Sequence, residues 1–212
     1  MPDLSEFKTR KQFIDPLLVT AGWDIIHYAD IKELKDHNKC AIEEYPTDNG
    51  PMDYALCVNG KILGVVEAKK VTLGPQNVLT QAERYARGLP ENPFNYDGFR
   101  VPFLYSTNGT EIWHHDVRHP LNRSRRISGF HTPEALLERL NYDFEDIKGK
   151  FFEVPDNERT RPYQADACDA IGKAIADRKR TMMIAMATGT GKTFMIVNLI
   201  YRLMKAGVAK RV

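Results

Sequence analysis

The chain has 212 residues, 42% of them hydrophobic, enough for one complete domain and part of a second. Lys plus Arg total 30 against 28 for Asp plus Glu, so the net charge of +2 marks no nucleic-acid binder by itself, and any such surface must come from local clustering. Scattered Cys40, Cys57 and Cys168 argue against a zinc site or disulfide frame, and no leader or membrane-length apolar run is present, so a soluble, cytoplasmic chain with no membrane partner is expected.

In chain order, Asp3 to Leu18 reads as a helix, with Asp3 and Glu6 as a capping box, Phe7, Ile14, Leu17 and Leu18 as its apolar face, and Pro16 as a kink. A polar stretch from Asp30 to Gly50 carries no periodic signal. Tyr54–Val58 and Ile62–Val66 flank Asn59-Gly60, a hairpin signal. Gly74-Pro75 starts a helix with Val78, Ala82, Tyr85, Ala86 and Leu89 on one side. Asn108-Gly109 marks a second hairpin, between Val101–Ser106 and Glu111–His114. Asp116 to Arg126 reads as a basic loop, and Thr132-Pro133-Glu134 caps a short helix to Leu140. Arg161-Pro162-Tyr163-Gln164 opens a helix with a stripe at Tyr163, Ala167, Ile171, Ala174 and Ile175. Thr181–Met186 is a short apolar run suited to a buried parallel strand, and Phe194 to Met204 a helix stopped by Gly207. The fold class is α/β, with an N-terminal domain over 1–140, a charged linker over 141–158, and a second domain begun at 159–212.

Two groups of residues carry chemistry. Ala187-Thr188-Gly189-Thr190-Gly191-Lys192-Thr193 is a phosphate loop between the strand and helix that such a loop requires. Its glycines let backbone N–H groups turn inward on phosphate oxygens at a helix N-terminus. Lys192 would reach the β- and γ-phosphates of ATP, and the Thr193 hydroxyl would ligate Mg²⁺. Met186 stands where the first glycine of the pattern is usual. The segment R-x-Y-Q-x-x-A ahead of this loop resembles the start of a superfamily 2 helicase core, which implies Gln164 as the adenine reader.

The other group is Asp53 with Glu67-Ala68-Lys69 at the end of the next strand. Phosphodiester hydrolysis needs a hard cation held by carboxylates and gains from a nearby fixed cation. Asp53 and Glu67 supply the carboxylates, the Ala68 carbonyl a third ligand, and Lys69 the ammonium. Strand alternation puts Glu67 and Lys69 on one face. A regular two-residue turn at Asn59-Gly60 would pair Asp53 with Val66 and turn it away from them. A three-residue loop, for example Val58-Asn59-Gly60 with Gly60 in a left-handed bulge, a bulge near Gly64 or a bend at Asp53 is therefore required if the acids are to share a cation. Gln81 and Tyr85 lie one helical turn apart on one face, and a Q-x-x-x-Y pair after an E-x-K strand resembles a subgroup of PD-(D/E)xK nucleases attached to helicases, which implies bracing of the site or contact with DNA. Arg118, His119, Arg123, Arg125 and Arg126 are candidates for phosphate contact, whereas Trp113 and Phe130 read as core.

Thr9-Arg10, Ile14-Asp15-Pro16, Ala21-Gly22-Trp23, Asp53-Tyr54, Glu67-Ala68-Lys69 and Gln81 with Tyr85 come in this order, followed by Pro102-Phe103, Thr107-Asn108-Gly109, Thr132-Pro133, Arg161 with Gln164, and Ala187–Thr193. In that order the chain resembles the N-terminal part of the restriction (motor) subunit of type I restriction–modification enzymes. The resemblance implies a PD-(D/E)xK restriction-endonuclease-like domain followed by the beginning of a RecA-like P-loop domain. It implies ATP-driven translocation coupled to metal-dependent cleavage of double-stranded DNA, with Mg²⁺ and ATP as cofactors. Methylation and specificity subunits would be partners, and Glu6 a helix glutamate joining the nuclease site. The later motor motifs would follow Val212, so this stretch alone is expected not to hydrolyse ATP. Two other readings stay open: a standalone helicase–nuclease of another defence or repair system, and a catalytically inactive docking module.

Overall fold

The computed structural model describes residues 5–70, 79–120, 122–141, 144–177, 179 and 181–209, with 144–148 by backbone only. Asp3, Gly74-Pro75 and Val78 lie outside the described residues. Two compact units are distinguished, Met1–Asn141 and Tyr142–Val212.

The first unit opens on α1 (Glu6–Thr9), a π turn over Arg10–Ile14, and α2 (Asp15–Thr20). Ser5 is the N-cap, accepting from the Lys8 N–H at 3.3 Å. The π turn immediately precedes Pro16, whose ring would clash with the carbonyl one α-turn back, so the wider turn takes up the kink. Ile14 and Leu18 are fully buried, whereas Phe7, assigned above to the same apolar face, is 65% exposed.

One seven-stranded sheet follows in sequence order: β1 (Asp24–His27), β2 (Cys40–Tyr45), β3 (Met52–Val58), β4 (Lys61–Ala68), β5 (Phe103–Thr107), β6 (Ile112–Asp116) and β7 (Arg125–Ile127). Neighbours are antiparallel except β1 with β2 and β4 with β5. The parallel β4–β5 step carries α3 (Leu79–Arg87) in its crossover. Each sheet face has its own core. Leu18 and Leu136, the latter from α4 (Pro133–Leu140), pack with Tyr54, Leu56, Val66 and Tyr105 on one. Leu79, Ala82 and Ala86 of α3 pack with Ala55, Val65 and Leu104 on the other.

Strand β2 falls within the stretch that gave no sequence signal, and β7 within the expected basic loop. CAIEEY does not alternate because β2 is covered on both faces, and β7 is a short, exposed edge strand. Arg118 is structural: it donates to Asp116 and to the carbonyls of Arg139 and Leu140, and stacks over Phe103. Arg123, Arg125 and Arg126 stay exposed.

The first hairpin decides whether a site can form. Asn59 (φ 50°) and Gly60 (φ 71°) make a two-residue turn, with Val58 opposite Lys61 and Cys57 opposite Ile62. Beyond Cys57 the register slips: Leu56 faces Gly64, and Tyr54 faces Val66. Leu63 is the inserted residue of a β-bulge, so continuing the ladder brings Asp53 opposite Glu67. A Cβ on Gly64 would lie 3.2 Å from Leu56 Cδ1 and 3.3 Å from the Phe103 carbonyl, which belongs to the paired strand and cannot withdraw. Gly64→Ala should therefore cost about 1–3 kcal/mol in urea denaturation. An unchanged midpoint would show that the bulge does not depend on a bare backbone there.

The second unit contains α5 (Phe144–Glu153), α6 (Pro162–Ala176) and α7 (Lys192–Lys205). Helix α5 occupies the expected linker, and its Phe151 is buried with the ring against Gly172 of α6. Ile171 and Ile175 of the expected stripe face inward on α6, joined by Gln164, Cys168 and Gly172, whereas Tyr163 is 42% exposed. The expected strand at Thr181–Met186 is not formed. No described residue pairs with it, and an isolated strand has no ladder to hold it. No helix among the described residues is long and apolar enough to cross a membrane.

Candidate functional site

Asp53, near the start of β3, and Glu67 and Lys69, at the end of β4, meet at one end of the sheet. The Ala68 N–H donates to Asp53 Oδ2 at 2.7 Å, and Lys69 Nζ donates to Glu67 Oε1 at 2.6 Å. Glu67 is only 2% exposed, and its Oε2 is buried with no hydrogen-bond partner among the described residues. Burial, reinforced by the neighbouring Asp53 carboxylate, pushes the Glu67 carboxyl up to about 7. Burial also pushes Asp53 up, against the pull of the Ala68 N–H and of Arg10. Burial disfavours the Lys69 ammonium, yet Glu67 holds its pKa above the ordinary lysine value. Two crowded carboxylates, one with an orphaned oxygen, make a site that gains from a cation.

Glu6 comes within 3.9 Å of Lys69, an ion pair at the rim. Gln81 donates to the Tyr85 hydroxyl at 3.2 Å, and among the described residues no hydrogen bond ties either to Asp53, Glu67 or Lys69. Arg10 was not assigned a role from sequence, nor were Glu43 and Glu44. Buried Arg10 donates to Asp53 Oδ1 at 3.1 Å, to the Asp53 carbonyl at 3.3 Å, to Glu43 at 3.3 Å and to Glu44. Nothing in the local pattern signals this cluster, because its partners lie 33 to 43 residues from Arg10. Among the described residues no set of three or more His, Cys, Asp or Glu side chains is arranged to hold a metal. The site instead offers two carboxylates and the backbone.

In the second unit, Gly189 and Gly191 adopt φ of 81° and 78°, left-handed conformations that glycine takes without strain, and α7 starts at Lys192. Lys192 Nζ bonds the carbonyls of Met186 and Ala187 at 3.2 and 3.3 Å, and Thr193 stands exposed in the first turn. The Thr190 hydroxyl donates to the Ala187 carbonyl at 2.7 Å. Gln164 accepts from the Arg161 N–H at 3.0 Å and donates to the Thr190 carbonyl at 2.8 Å. The Tyr163 hydroxyl reaches the same carbonyl at 3.0 Å. Behind the loop, buried Arg202 links Asp156, Asp169 and the Phe151 carbonyl, tying α7 to α5 and α6.

Residues 23–140 match the family described as type I restriction enzyme EcoKI endonuclease subunit, second domain, and 157–212 match type III restriction enzyme, res subunit. The chain is 32% identical to the type I restriction enzyme EcoKI endonuclease subunit of Escherichia coli (strain K12), over 99% of its own length and 22% of the relative's. It is 26% identical to the EcoAI endonuclease subunit of Escherichia coli, over 100% of its length and 27% of the relative's. It thus spans about a quarter of these curated relatives. A solved fragment of an HsdR subunit of a type I restriction enzyme from Vibrio vulnificus YJ016 covers 97% of this chain and 39% of its own, at 26% identity and a TM-score of 0.49. The chain belongs to the family of type I restriction-enzyme endonuclease subunits.

Proposed function

We propose that this chain carries the DNA-cleaving site, and the start of the ATP-driven motor, of a type I restriction endonuclease. The observation that carries the reading is the bulge at Leu63, which places Asp53 on the same face as Glu67 and Lys69. A hairpin selected only for stability has no need of that slip.

The donor set fits Mg²⁺, a hard cation that is commonly held by one or two carboxylates and completes its shell with water and phosphate. A buried Glu67 Oε2 with no partner among the described residues, together with the raised Glu67 carboxyl, is what supports a site built around a cation. Asp53, Glu67 and the Ala68 carbonyl would hold the ion. Once bound, it would supply positive charge to offset the scissile phosphate and to make a water more acidic. Lys69, pinned on Glu67, would orient the attacking water or meet charge developing on the phosphate. Gln81 and Tyr85, bonded to each other, form one rigid polar unit on α3 suited to bracing DNA beside the site.

For the motor, the N–H groups of Gly189, Thr190 and Gly191 would cradle the phosphates of ATP, Lys192 would leave its loop carbonyls for them, and Thr193 would ligate the accompanying Mg²⁺. Gln164 accepts from the Arg161 N–H and donates to the Thr190 and Gly191 carbonyls, so what it has left for adenine is the second lone pair of its Oε1. A domain boundary near 141 separates the two chemistries. Double-stranded DNA and the methylation and specificity subunits are the partners. Free, buried Cys40, Cys57 and Cys168 suit a reducing cytoplasm. The test is cleavage of a plasmid bearing a recognition site by the full subunit with its partners, Mg²⁺ and ATP. Cleavage that needs all three is expected, and a protein inert in every combination would remove this reading.

A further inference from the structure

Arg10 is held as few surface arginines are. It is 7% exposed, its guanidinium lies 4.9 Å from the centre of the Tyr54 ring, and that ring is fixed by a 2.5 Å hydrogen bond from the Tyr54 hydroxyl to Asp15. Nη1 donates to Glu44 and Asp53 Oδ1, and Nη2 to Glu43 and the Asp53 carbonyl, while Lys11 Nζ donates to Glu43 as well, at 2.5 Å. Neighbouring side chains on a strand point to opposite faces, yet Glu43 and Glu44 both reach this one guanidinium. Glu44 does so from a left-handed backbone (φ 55°), an uncommon conformation for a residue with a side chain. The β2–β3 ladder places Glu44 opposite Asp53.

The cation at the centre of this cluster therefore sits between two acids and one of the proposed metal ligands. A carboxylate oxygen has lone pairs to spare, so Asp53 can accept from Arg10 on one side and still serve a metal on the side facing Glu67. A buried ion pair adds little stability in general, so the strained Glu44 and the contact to Asp53 call for a role at the site.

We propose that Arg10 is a positioning residue of the nuclease site: it orients the Asp53 carboxylate and, with a fixed positive charge, fills the ground between Asp53 and Glu44 where a second divalent ion would otherwise bind. This rests on reading Asp53 and Glu67 as a metal site, and it makes that site a one-metal site.

The test is to count Mn²⁺ bound by the nucleotide-free full subunit, using electron paramagnetic resonance. The wild type should bind a single ion, lost in Asp53→Asn. Arg10→Met should gain a second ion, held by Asp53 and Glu44 while Lys11 keeps Glu43 paired, and Arg10→Lys should return the count to a single ion. Arg10→Gln, which can still donate to Asp53 but is uncharged, should also gain the second ion and carries the test if Arg10→Met does not fold. A second ion in the wild type, or none gained in the neutral variants, overturns the proposal whatever their activity. No ion at all in the wild type, or none lost in Asp53→Asn, would instead overturn the metal-site reading beneath it.

Discussion

Asp53→Ala, Glu67→Ala or Lys69→Ala in the full subunit, assembled with its partners, should abolish DNA cleavage while ATP-driven translocation continues at nearly the wild-type rate. The expected loss is large. Lewis-acid and charge stabilisation at a phosphate is worth several kcal/mol, and about 4 kcal/mol corresponds to roughly a thousandfold in rate. Glu67→Ala removes the carboxylate that holds Lys69, so it disables the anionic and the cationic sides of the site together. Translocation is spared because the phosphate loop belongs to the other compact unit. Lys192→Ala should do the reverse, stopping ATP hydrolysis directly and cleavage as a consequence. Equal loss of ATPase activity in Asp53→Ala and Lys192→Ala would defeat the assignment of two separate sites.

The second large effect concerns pH and comes from opposed buried groups. His114 packs tilted and His131 edge-on against Tyr105, and His131 Nδ1 lies 2.7 Å from the Tyr105 hydroxyl. Burial lowers His114 to about 3 and His131 to about 4. Between those values and the ordinary histidine range the unfolded chain binds more protons, so these groups contribute stability near neutrality that is lost as pH falls. Each is worth up to about 1.4 kcal/mol per pH unit over that interval. Glu67 acts with the opposite sign. Its carboxyl is raised to about 7, so between there and the ordinary glutamate range the folded chain holds the extra proton. Metal-free protein consequently loses a Glu67 contribution as pH rises through that window, and Asp53, also raised, works the same way.

The wild-type profile should therefore be shallow on the acid side. Glu67→Gln removes one counterweight, so it should lose about 2 kcal/mol more than the wild type between pH 6.5 and pH 5. Urea denaturation followed by tryptophan fluorescence is the measurement, since Trp23 and Trp113, the chain's two tryptophans, both report on the first unit. Parallel profiles for Glu67→Gln and wild type would show that Glu67 is not perturbed.

What could be read from sequence is what local chemistry dictates. Asn59-Gly60 marks a real turn because few other pairs accept its two positive φ angles, Asn108-Gly109 opens a loop between Thr107 and Ile112 in which the Asn108 side chain accepts from the Thr110 and Glu111 N–H groups, and Thr132 caps α4 through a 3.2 Å bond to the Ala135 N–H. The bulge could be required from Asp53, Glu67 and Lys69, but its position could not be fixed. Leu63 looks like any strand leucine, and only the space beside Gly64 selects the place. Strand β2 was illegible because its acids answer to Arg10, far away in sequence, rather than to the strand's own periodicity. Thr181–Met186 was over-read for the opposite reason. An apolar run is necessary for a buried strand, but a strand also needs a neighbour, and none of the described residues supplies one.

The most direct test of the central claim is anomalous diffraction from crystals of this chain soaked in Mn²⁺. The expected result is a peak bridging the carboxylates of Asp53 and Glu67 near the Ala68 carbonyl, absent from Asp53→Asn. Saturating Mn²⁺ with no density between those carboxylates, or density there that survives Asp53→Asn, would contradict a metal-dependent nuclease site at the end of this hairpin.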